Sequence, residues 1–167
     1  MKWLYGFLTG SIVSALLVAG ISTAQDSDTA VPPRPARALN HIGIVVDDYA
    51  AAYAFYTEKL GLKEAYTVER NGAPLLTYLQ LNRETFVELI PARGDEPRGV
   101  THFGMEVADI DALVASLRES GLEVADPGVT PANARFVRIR DASGIEIEVM
   151  EYGPESAQYQ AMAAWRE

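Results

Sequence analysis

The spacing of hydrophobic residues changes along the chain from that of a β-strand to that of a helix. Residues 41–46, HIGIVV, are rich in β-branched side chains and predict a short strand. Asp48 is placed to cap a helix that ends before Gly61. Apolar side chains of this helix recur at helical spacing, at Tyr53, Phe55, Tyr56 and Leu60. The first unit is therefore a strand followed by a helix.

Three further strand-like runs follow this helix, at residues 63–68, 75–81 and 85–90. The Asn71-Gly72 pair between the first two runs is typical of a tight hairpin turn. Because short connections join antiparallel strands, the three runs predict a meander. This part of the chain therefore has the predicted order βαβββ.

The same order recurs about 60 residues later. The pattern His-x-Gly-x-x-Val-x-Asp of residues 41–48 returns at residues 102–109. A helix over about 109–120 and strands at 122–125, 134–140 and 144–150 complete the second copy. A long period that occurs twice predicts two modules of one domain. We expect an α+β fold, in which two βαβββ modules form a curved, half-barrel-like mixed sheet with the helices outside.

The first residues have the pattern of a secretory signal. Lys2 precedes an uncharged apolar run over 4–21, and residues 22–24, Ser-Thr-Ala, are small enough for signal peptidase. We expect residues 1–24 to be a cleaved signal peptide and the protein to be periplasmic or secreted. The apolar run is near the lower length limit for crossing a bilayer, so a membrane anchor is the alternative.

The remaining segments divide as follows. Residues 25–38 are polar and proline-rich and predict a linker. Residues 39–152 hold the domain, with modules at 39–92 and 99–152. Residues 153–167 predict a C-terminal helix that packs on the domain or on a partner subunit.

Charge and cysteine content narrow the chemistry. Removal of residues 1–24 would leave 13 basic against 23 acidic residues, a net charge of about −10. Such a surface repels phosphate backbones, so we expect no nucleic-acid partner, and no membrane partner after signal cleavage. The chain has no cysteine, which excludes disulfides and thiolate ligands. Any metal site must use nitrogen and oxygen donors.

Both histidines of the chain, His41 and His102, occupy the same position in the two modules. Because side chains alternate along a strand, His41 and Gly43 share one face. Ile42 and Ile44 share the other face, which we expect to lie against the helix. The histidines therefore belong to a surface that the helices leave open.

The last strand of each module carries a glutamate between two apolar residues, Glu88 in the first and Glu148 in the second. The apolar neighbours would point into the core, which leaves the carboxylates on the concave face. Pairing of the modules would then bring four side chains together: His41, Glu88, His102 and Glu148. This set suits one divalent metal ion. We expect zinc or nickel, with cobalt, manganese or iron as alternatives, and Glu146 as the rival fourth ligand.

These residues resemble the vicinal oxygen chelate superfamily, which includes glyoxalase I, methylmalonyl-CoA epimerase, extradiol dioxygenases and the fosfomycin and bleomycin resistance proteins. LNHIGIVVDD at 39–48 and AFYTEKLGLK at 54–63 look like its opening, and FVRIRDASGIEIEVMEY at 136–152 is similar to its usual closing. The resemblance covers about 39–152. It implies paired modules, a metal in the cleft, and the ligands His41, Glu88, His102 and Glu148.

The ligand set looks like that of glyoxalase I, where a metal-bound glutamate moves a proton between adjacent carbons through an enediolate held by the metal. The resemblance implies a metal-dependent isomerase or lyase that acts on a small oxygenated substrate, with Glu88 or Glu148 as catalytic base. Val45 replaces an arginine that contacts glutathione in that enzyme. No carboxylate stands at Leu76 or Thr77, where the epimerase would place its own catalytic glutamate.

The sequence is also compatible with two other functions. A binding or sequestering module, as in the bleomycin-resistance branch, would hold a small ligand without turnover. A ring-cleaving dioxygenase needs open positions at iron, which a fourth carboxylate would fill. Single-domain proteins of this family commonly pair, so we expect a homodimer. Arg135, Arg138 and Tyr78 are candidate substrate contacts, although an ordinary strand position is the simpler interpretation of each.

Overall fold

One eight-stranded sheet organises the part of the chain that the structure describes. The computed structural model describes residues 36–166. The predicted signal peptide, residues 1–24, and the linker up to residue 35 lie outside the described residues. Strand β1 begins at Ala36, three residues before the predicted domain start, because Ala36 and Ala38 already pair with β5.

The elements follow the predicted order. Module one contains β1 (Ala36–Val46), α1 (Tyr49–Ala54), β2 (Lys63–Arg70), β3 (Ala73–Gln80) and β4 (Phe86–Pro91). Module two contains β5 (Gly99–Val107), α2 (Ile110–Glu119), β6 (Gly128–Val129), β7 (Arg135–Arg140) and β8 (Glu146–Glu151), and α3 (Ala157–Ala164) follows.

The sheet order, β2-β3-β4-β1-β5-β8-β7-β6, is nearly symmetric about its centre. In each module the first and last strands are parallel neighbours, β1 with β4 and β5 with β8. The modules join where β1 and β5 pair in antiparallel fashion. The sheet curls into a half-barrel, so the predicted fold class is confirmed.

The helix of module one has both of its predicted ends. The carboxylate of Asp48 accepts a hydrogen bond from the Ala51 amide at 2.9 Å, and Gly61 follows the helix with a positive φ of 75°. After α1 the helix widens into a π-helical turn over Phe55–Lys59, in which the Leu60 amide donates to the Phe55 carbonyl at 3.1 Å.

The strand predicted at residues 122–125 of module two does not form. Its place is taken by the two-residue strand β6, which pairs with β7. The Arg118 side chain donates to the Val124 carbonyl at 2.8 Å and to Asp126 at 2.8 Å, which ties the segment to α2. Pro127 and Pro131 lack the N–H group that strand pairing needs. These constraints leave the segment outside the sheet.

The closed hydrophobic core lies in module two. Ile110, Leu113 and Val114 of α2 are buried against Val137 and Val149 of the sheet. The helix begins at an Asp109 cap that accepts from the Ala112 amide at 2.9 Å. Residues of α2 therefore stabilise the domain through apolar burial.

The outer face of module one is covered less completely. No residue of α1 is buried, and Phe55 and Leu60 are 52% and 55% exposed. Ile42 is 37% exposed, so the expectation that its face of β1 lies against the helix is only partly correct. The reason is that α1 is short and packs on β4. Within residues 36–166, no helix has the length and apolar character to span a membrane.

We expect Ile110→Ala to lower the free energy of unfolding by about 2–5 kcal/mol, because Ile110 is fully buried in this core. Ile145→Ala is the matched control, since Ile145 is 50% exposed, and its effect should stay within about 0.5 kcal/mol. Urea denaturation measures both. Equal losses would contradict the assignment of the core to α2.

Candidate metal centre

Four predicted side chains meet on the central strands. His41 on β1, Glu88 on β4, His102 on β5 and Glu148 on β8 are all buried, and one donor atom of each lies within 4.8 Å of the others. The structure therefore brings together the complete set of predicted ligands.

Strand register explains how they meet. Glu88, Gly43 and His102 are neighbours along one row of the sheet, on β4, β1 and β5. In the next row the neighbours are Glu148, Gly104 and His41, on β8, β5 and β1. In each row the carboxylate of one module reaches across a glycine to the histidine of the other.

This arrangement requires glycine at positions 43 and 104, because a larger residue there would collide with a histidine ring. A Cβ atom at Gly43 would lie 1.9 Å from Cε1 of His102, and one at Gly104 would lie 2.0 Å from Cε1 of His41. Each imidazole thus occupies the space that a side chain on the paired strand would fill. This explains why His-x-Gly occurs in both modules.

Two of five donor separations have the length expected of ligands on one ion, and the other three are wider. Nε2 of His41 is 3.3 Å from Nε2 of His102 and 3.6 Å from Oε2 of Glu148. Nε2 of His102 is 3.0 Å from Oε2 of Glu88 and 3.8 Å from Oε2 of Glu148, and the His41–Glu88 separation is 3.9 Å. Donors about 2.1 Å from one ion would be separated by about 3.0 to 3.4 Å in octahedral or tetrahedral geometry.

One donor atom lacks a partner within the described chain. Oε2 of Glu88 is buried and accepts no hydrogen bond of standard geometry, although Nε2 of His102 lies 3.0 Å away. A buried carboxylate oxygen without a partner is energetically costly. The nitrogen and oxygen donors and this orphaned atom fit a divalent cation.

Neighbouring polar groups orient both histidines. Nδ1 of His41 lies 3.4 Å from Oδ1 of Asn40, which accepts a hydrogen bond from the Tyr152 hydroxyl at 2.6 Å. Nδ1 of His102 lies 3.1 Å from the hydroxyl of Thr101. These contacts leave both Nε2 atoms directed toward the centre. Sequence analysis missed Asn40 and Tyr152, since no local pattern links residues that far apart.

Glu148 and its rival Glu146 have different partners. The Arg138 guanidinium contacts Oε1 of Glu148 through two nitrogens, at 2.8 and 2.6 Å. Glu146 instead pairs with Arg140 and lies 3.5 Å from Arg138, and it is not part of the cluster. Glu148 is therefore the fourth member of the site.

The charges around the site shift two pKa values in the metal-free protein. Burial is the largest effect on Glu148 and opposes ionisation, but His41, His102 and Arg138 outweigh it and lower the pKa to about 2. For His102, burial favours the neutral form, yet the adjacent Glu88 and Glu148 carboxylates prevail and raise its pKa above 6.5.

A cavity of about 140 Å³ borders the centre. Glu88 and Glu148 line it together with Arg138 and Tyr78, two of the three candidate substrate contacts. The third, Arg135, lies elsewhere and pairs with Asp111 at 2.7 Å. Most of the remaining walls are apolar, so the two carboxylates border a small and mainly apolar space.

The chain is similar to a known protein family and to two curated bacterial proteins over about two thirds of its length. The model of the Glyoxalase/Bleomycin resistance protein/Dioxygenase superfamily matches residues 38–149. The uncharacterized protein YwkD of Bacillus subtilis (strain 168) is 31% identical over 126 residues, which is 69% of this chain and 97% of that protein. The uncharacterized protein YaeR of Escherichia coli (strain K12) is 32% identical over 124 residues, with coverages of 68% and 95%.

Solved structures share the fold at lower identity. Methylmalonyl-CoA epimerase from Mycobacterium tuberculosis has a TM-score of 0.61 at 22% identity, covering 72% of this chain and 91% of that one. The Streptomyces coelicolor methylmalonyl-CoA epimerase in complex with 2-nitronate-propionyl-CoA has a TM-score of 0.63 at 23% identity, covering 72% and 98%. At 22–23% sequence identity, this structural similarity establishes the fold alone.

We expect Gly104→Ala to displace the His41 ring, lower the free energy of unfolding by about 1–3 kcal/mol and weaken metal binding. Gly153→Ala is the matched control, because a Cβ there meets nothing within 4 Å. Urea denaturation and zinc titration measure the two effects. An alanine at 104 that left metal binding unchanged would contradict the packing described.

Stability of the chelated protein should depend on pH. The lowered Glu148 pKa contributes roughly 3 kcal/mol above pH 4.5, which is lost as the pH falls from 4.5 toward 2. The raised His102 pKa contributes stability below pH 6.5, which is lost as the pH rises through that pKa. Urea unfolding from pH 3 to 8 should therefore show a maximum between about 4.5 and 6.5. In Glu148→Gln the decline below pH 4.5 should be shallower, and an unchanged decline would assign it to other carboxylates.

Proposed function

This chain belongs to the glyoxalase/bleomycin resistance protein/dioxygenase superfamily, and we propose that it is a metal-dependent isomerase or lyase of glyoxalase type. The proposed reaction moves a proton between adjacent carbons of a small oxygenated substrate. The observation that carries the proposal is a buried Glu88 oxygen without a partner, at a cavity wall and beside three further ligand-type side chains.

Four residues would hold the ion: His41, Glu88, His102 and Glu148. The two nitrogen and two oxygen donors suit a divalent cation, with zinc or nickel as the first choice. When bound, such an ion supplies positive charge that stabilises negative charge developing on a substrate oxygen. The donor atoms are buried, which reduces screening by water.

Glu88 is the proposed general base. Glu88 borders the cavity where a substrate C–H would lie, and no arginine or lysine of the described residues pairs with its carboxylate. Glu148 is held by two nitrogens of Arg138, whose positive charge favours the ionised carboxylate and opposes proton uptake. We therefore assign proton transfer to Glu88 and a holding role to Glu148.

We also propose that the protein is exported. Support comes from the basic residue, apolar run and small residues of segment 1–24. Mass spectrometry of the mature protein should give an N-terminus at Gln25. An intact N-terminus in a membrane fraction would support an anchor instead.

The function is tested with protein purified without chelator. We expect about one divalent ion per chain by plasma mass spectrometry, and turnover of methylglyoxal in the presence of a thiol. Glu88→Gln should keep the ion and reduce kcat by about 10²- to 10⁴-fold, because amide oxygen is a poor proton acceptor.

Glu146→Gln is the matched control, since Glu146 lies two residues from Glu148 and outside the cluster; it should keep both metal and turnover. Native protein without metal would contradict the proposal. Metal-loaded protein that binds small molecules without turning them over would indicate a sequestering module. Full activity in Glu88→Gln would move the base to Glu148.

A further inference from the structure

Three residues around one cavity each carry a buried polar atom without a hydrogen-bond partner. Among the described residues, the buried side-chain oxygens or nitrogens without a hydrogen-bond partner are the Tyr66 hydroxyl, Oε2 of Glu88 and Oε1 of Gln158. All three residues line the cavity beside the metal centre. Because nearly all buried polar groups have partners in folded proteins, this coincidence indicates groups that turn toward a molecule bound in the cavity.

Glu88 is already explained by the metal centre, whereas the other two residues are not. Tyr66 lies on β2, and its ring stacks on Tyr78 with centroids 4.9 Å apart. Gln158 lies on α3 and is 1% exposed. Neither residue is among the four ligand-type side chains. Tyr66 and Gln158 are polar residues of the cavity wall that play no part in holding the metal.

Packing gives no reason for a glutamine at position 158. Gln158 is the buried residue of α3, and an apolar side chain of similar length would fill the same space. The helix is attached without it: the Ala157 amide donates to the Ala132 carbonyl at 2.9 Å, and the Ser156 hydroxyl caps the helix by accepting from the Tyr159 amide. The matched family segment ends at residue 149, so Gln158 lies beyond it.

The cavity limits what these groups can bind. Its volume of about 140 Å³ is that of about five water molecules and is below the roughly 300 Å³ at which pockets for drug-sized ligands begin. Val68, Leu76, Phe136 and Met150 provide apolar walls. Within residues 36–166, Arg138 is the one cation that lines it, and Arg138 is already paired with Glu148. Substrates with extended anionic groups, such as phosphates, find no free cation there.

We propose that Tyr66 and Gln158 bind a hydroxyl or amide group of the substrate, which is a small, uncharged molecule with an apolar skeleton and a second oxygen function for the metal centre. The inference rests on the function proposed above and names its substrate class. Burial raises the pKa of Tyr66 well above 10, so its hydroxyl stays protonated and donates. The Gln158 amide accepts and donates, which matches a group that does both.

The first test needs neither metal nor ligand. Tyr66→Phe and Gln158→Met each remove a buried polar atom that has no partner, so the Tm of the chelated protein should stay equal or rise. Tyr49→Phe is the matched control, because the Tyr49 hydroxyl is 2.6 Å from the Thr77 hydroxyl and its loss should lower the Tm. A clear drop in Tm in both cavity variants would assign these groups a structural role and overturn the proposal.

The second test uses hydroxamates, which chelate divalent metals, on zinc-loaded protein. Propanohydroxamate is compared with 3-hydroxypropanohydroxamate, and benzohydroxamate with 4-hydroxybenzohydroxamate, by calorimetry. In at least one pair the hydroxylated member should bind about fivefold more tightly, a typical gain from one hydrogen bond. This preference should disappear in Tyr66→Phe and Gln158→Met, while the zinc affinity of both variants stays that of the unaltered protein.

The two proposals fail in different ways. Equal affinity within both pairs, or a preference that survives in both variants, overturns the substrate assignment while the metal centre stands. Protein that binds no zinc overturns the proposed function, and the Tm comparison then decides the role of Tyr66 and Gln158 alone.

Discussion

The structure depends on the antiparallel pairing of β1 with β5, in which each histidine ring lies in the space left by the missing Cβ of a glycine on the other strand. The reciprocal contacts of His41 with Gly104 and of His102 with Gly43 fix the register of the two modules. A slip of one residue would turn both imidazoles to the opposite face of the sheet. The same register brings Glu88 and Glu148 alongside, so one steric constraint joins the modules and assembles the donors.

The arrangement concentrates titratable groups where burial makes them costly. Two carboxylates and two imidazoles share a region from which water is largely excluded. Arg138 forms an ion pair with Glu148, but among the described residues no arginine or lysine pairs with Glu88. The centre is therefore asymmetric although the modules are repeated, and this asymmetry separates the holding role from the proton-transfer role in the proposed mechanism.

The site also divides into a part inside the family segment and a part beyond its end. All four ligand-type residues lie within the segment matched by the superfamily model, whereas Gln158 lies beyond its end. One cluster of this kind can supply the same electrostatic stabilisation to different substrates, and selectivity must then come from the cavity walls. Helix α3 closes part of that wall, so variation after residue 149 offers a route to a different substrate without a change in the centre.

The sequence alone determined the two-module architecture and the identity of the four clustered residues. It did so because strand periodicity fixes which side chains share a face, and the repeated His-x-Gly pattern carried the register of both modules. The strand predicted at residues 122–125 was wrong, since contacts from Arg118 to Val124 and Asp126 outweigh local strand propensity.

Only the tertiary structure decided which partners complete the site. The Tyr152 hydroxyl reaches Asn40 from 112 residues away, and Gln158 joins a wall whose other members come from both modules. Glu148 and Glu146 share a strand face, and Arg140 and Arg138 distinguish them only once β7 and β8 are paired. Such contacts leave no local pattern, because they depend on the curvature of the sheet and on where α3 docks rather than on the spacing of residues along the chain.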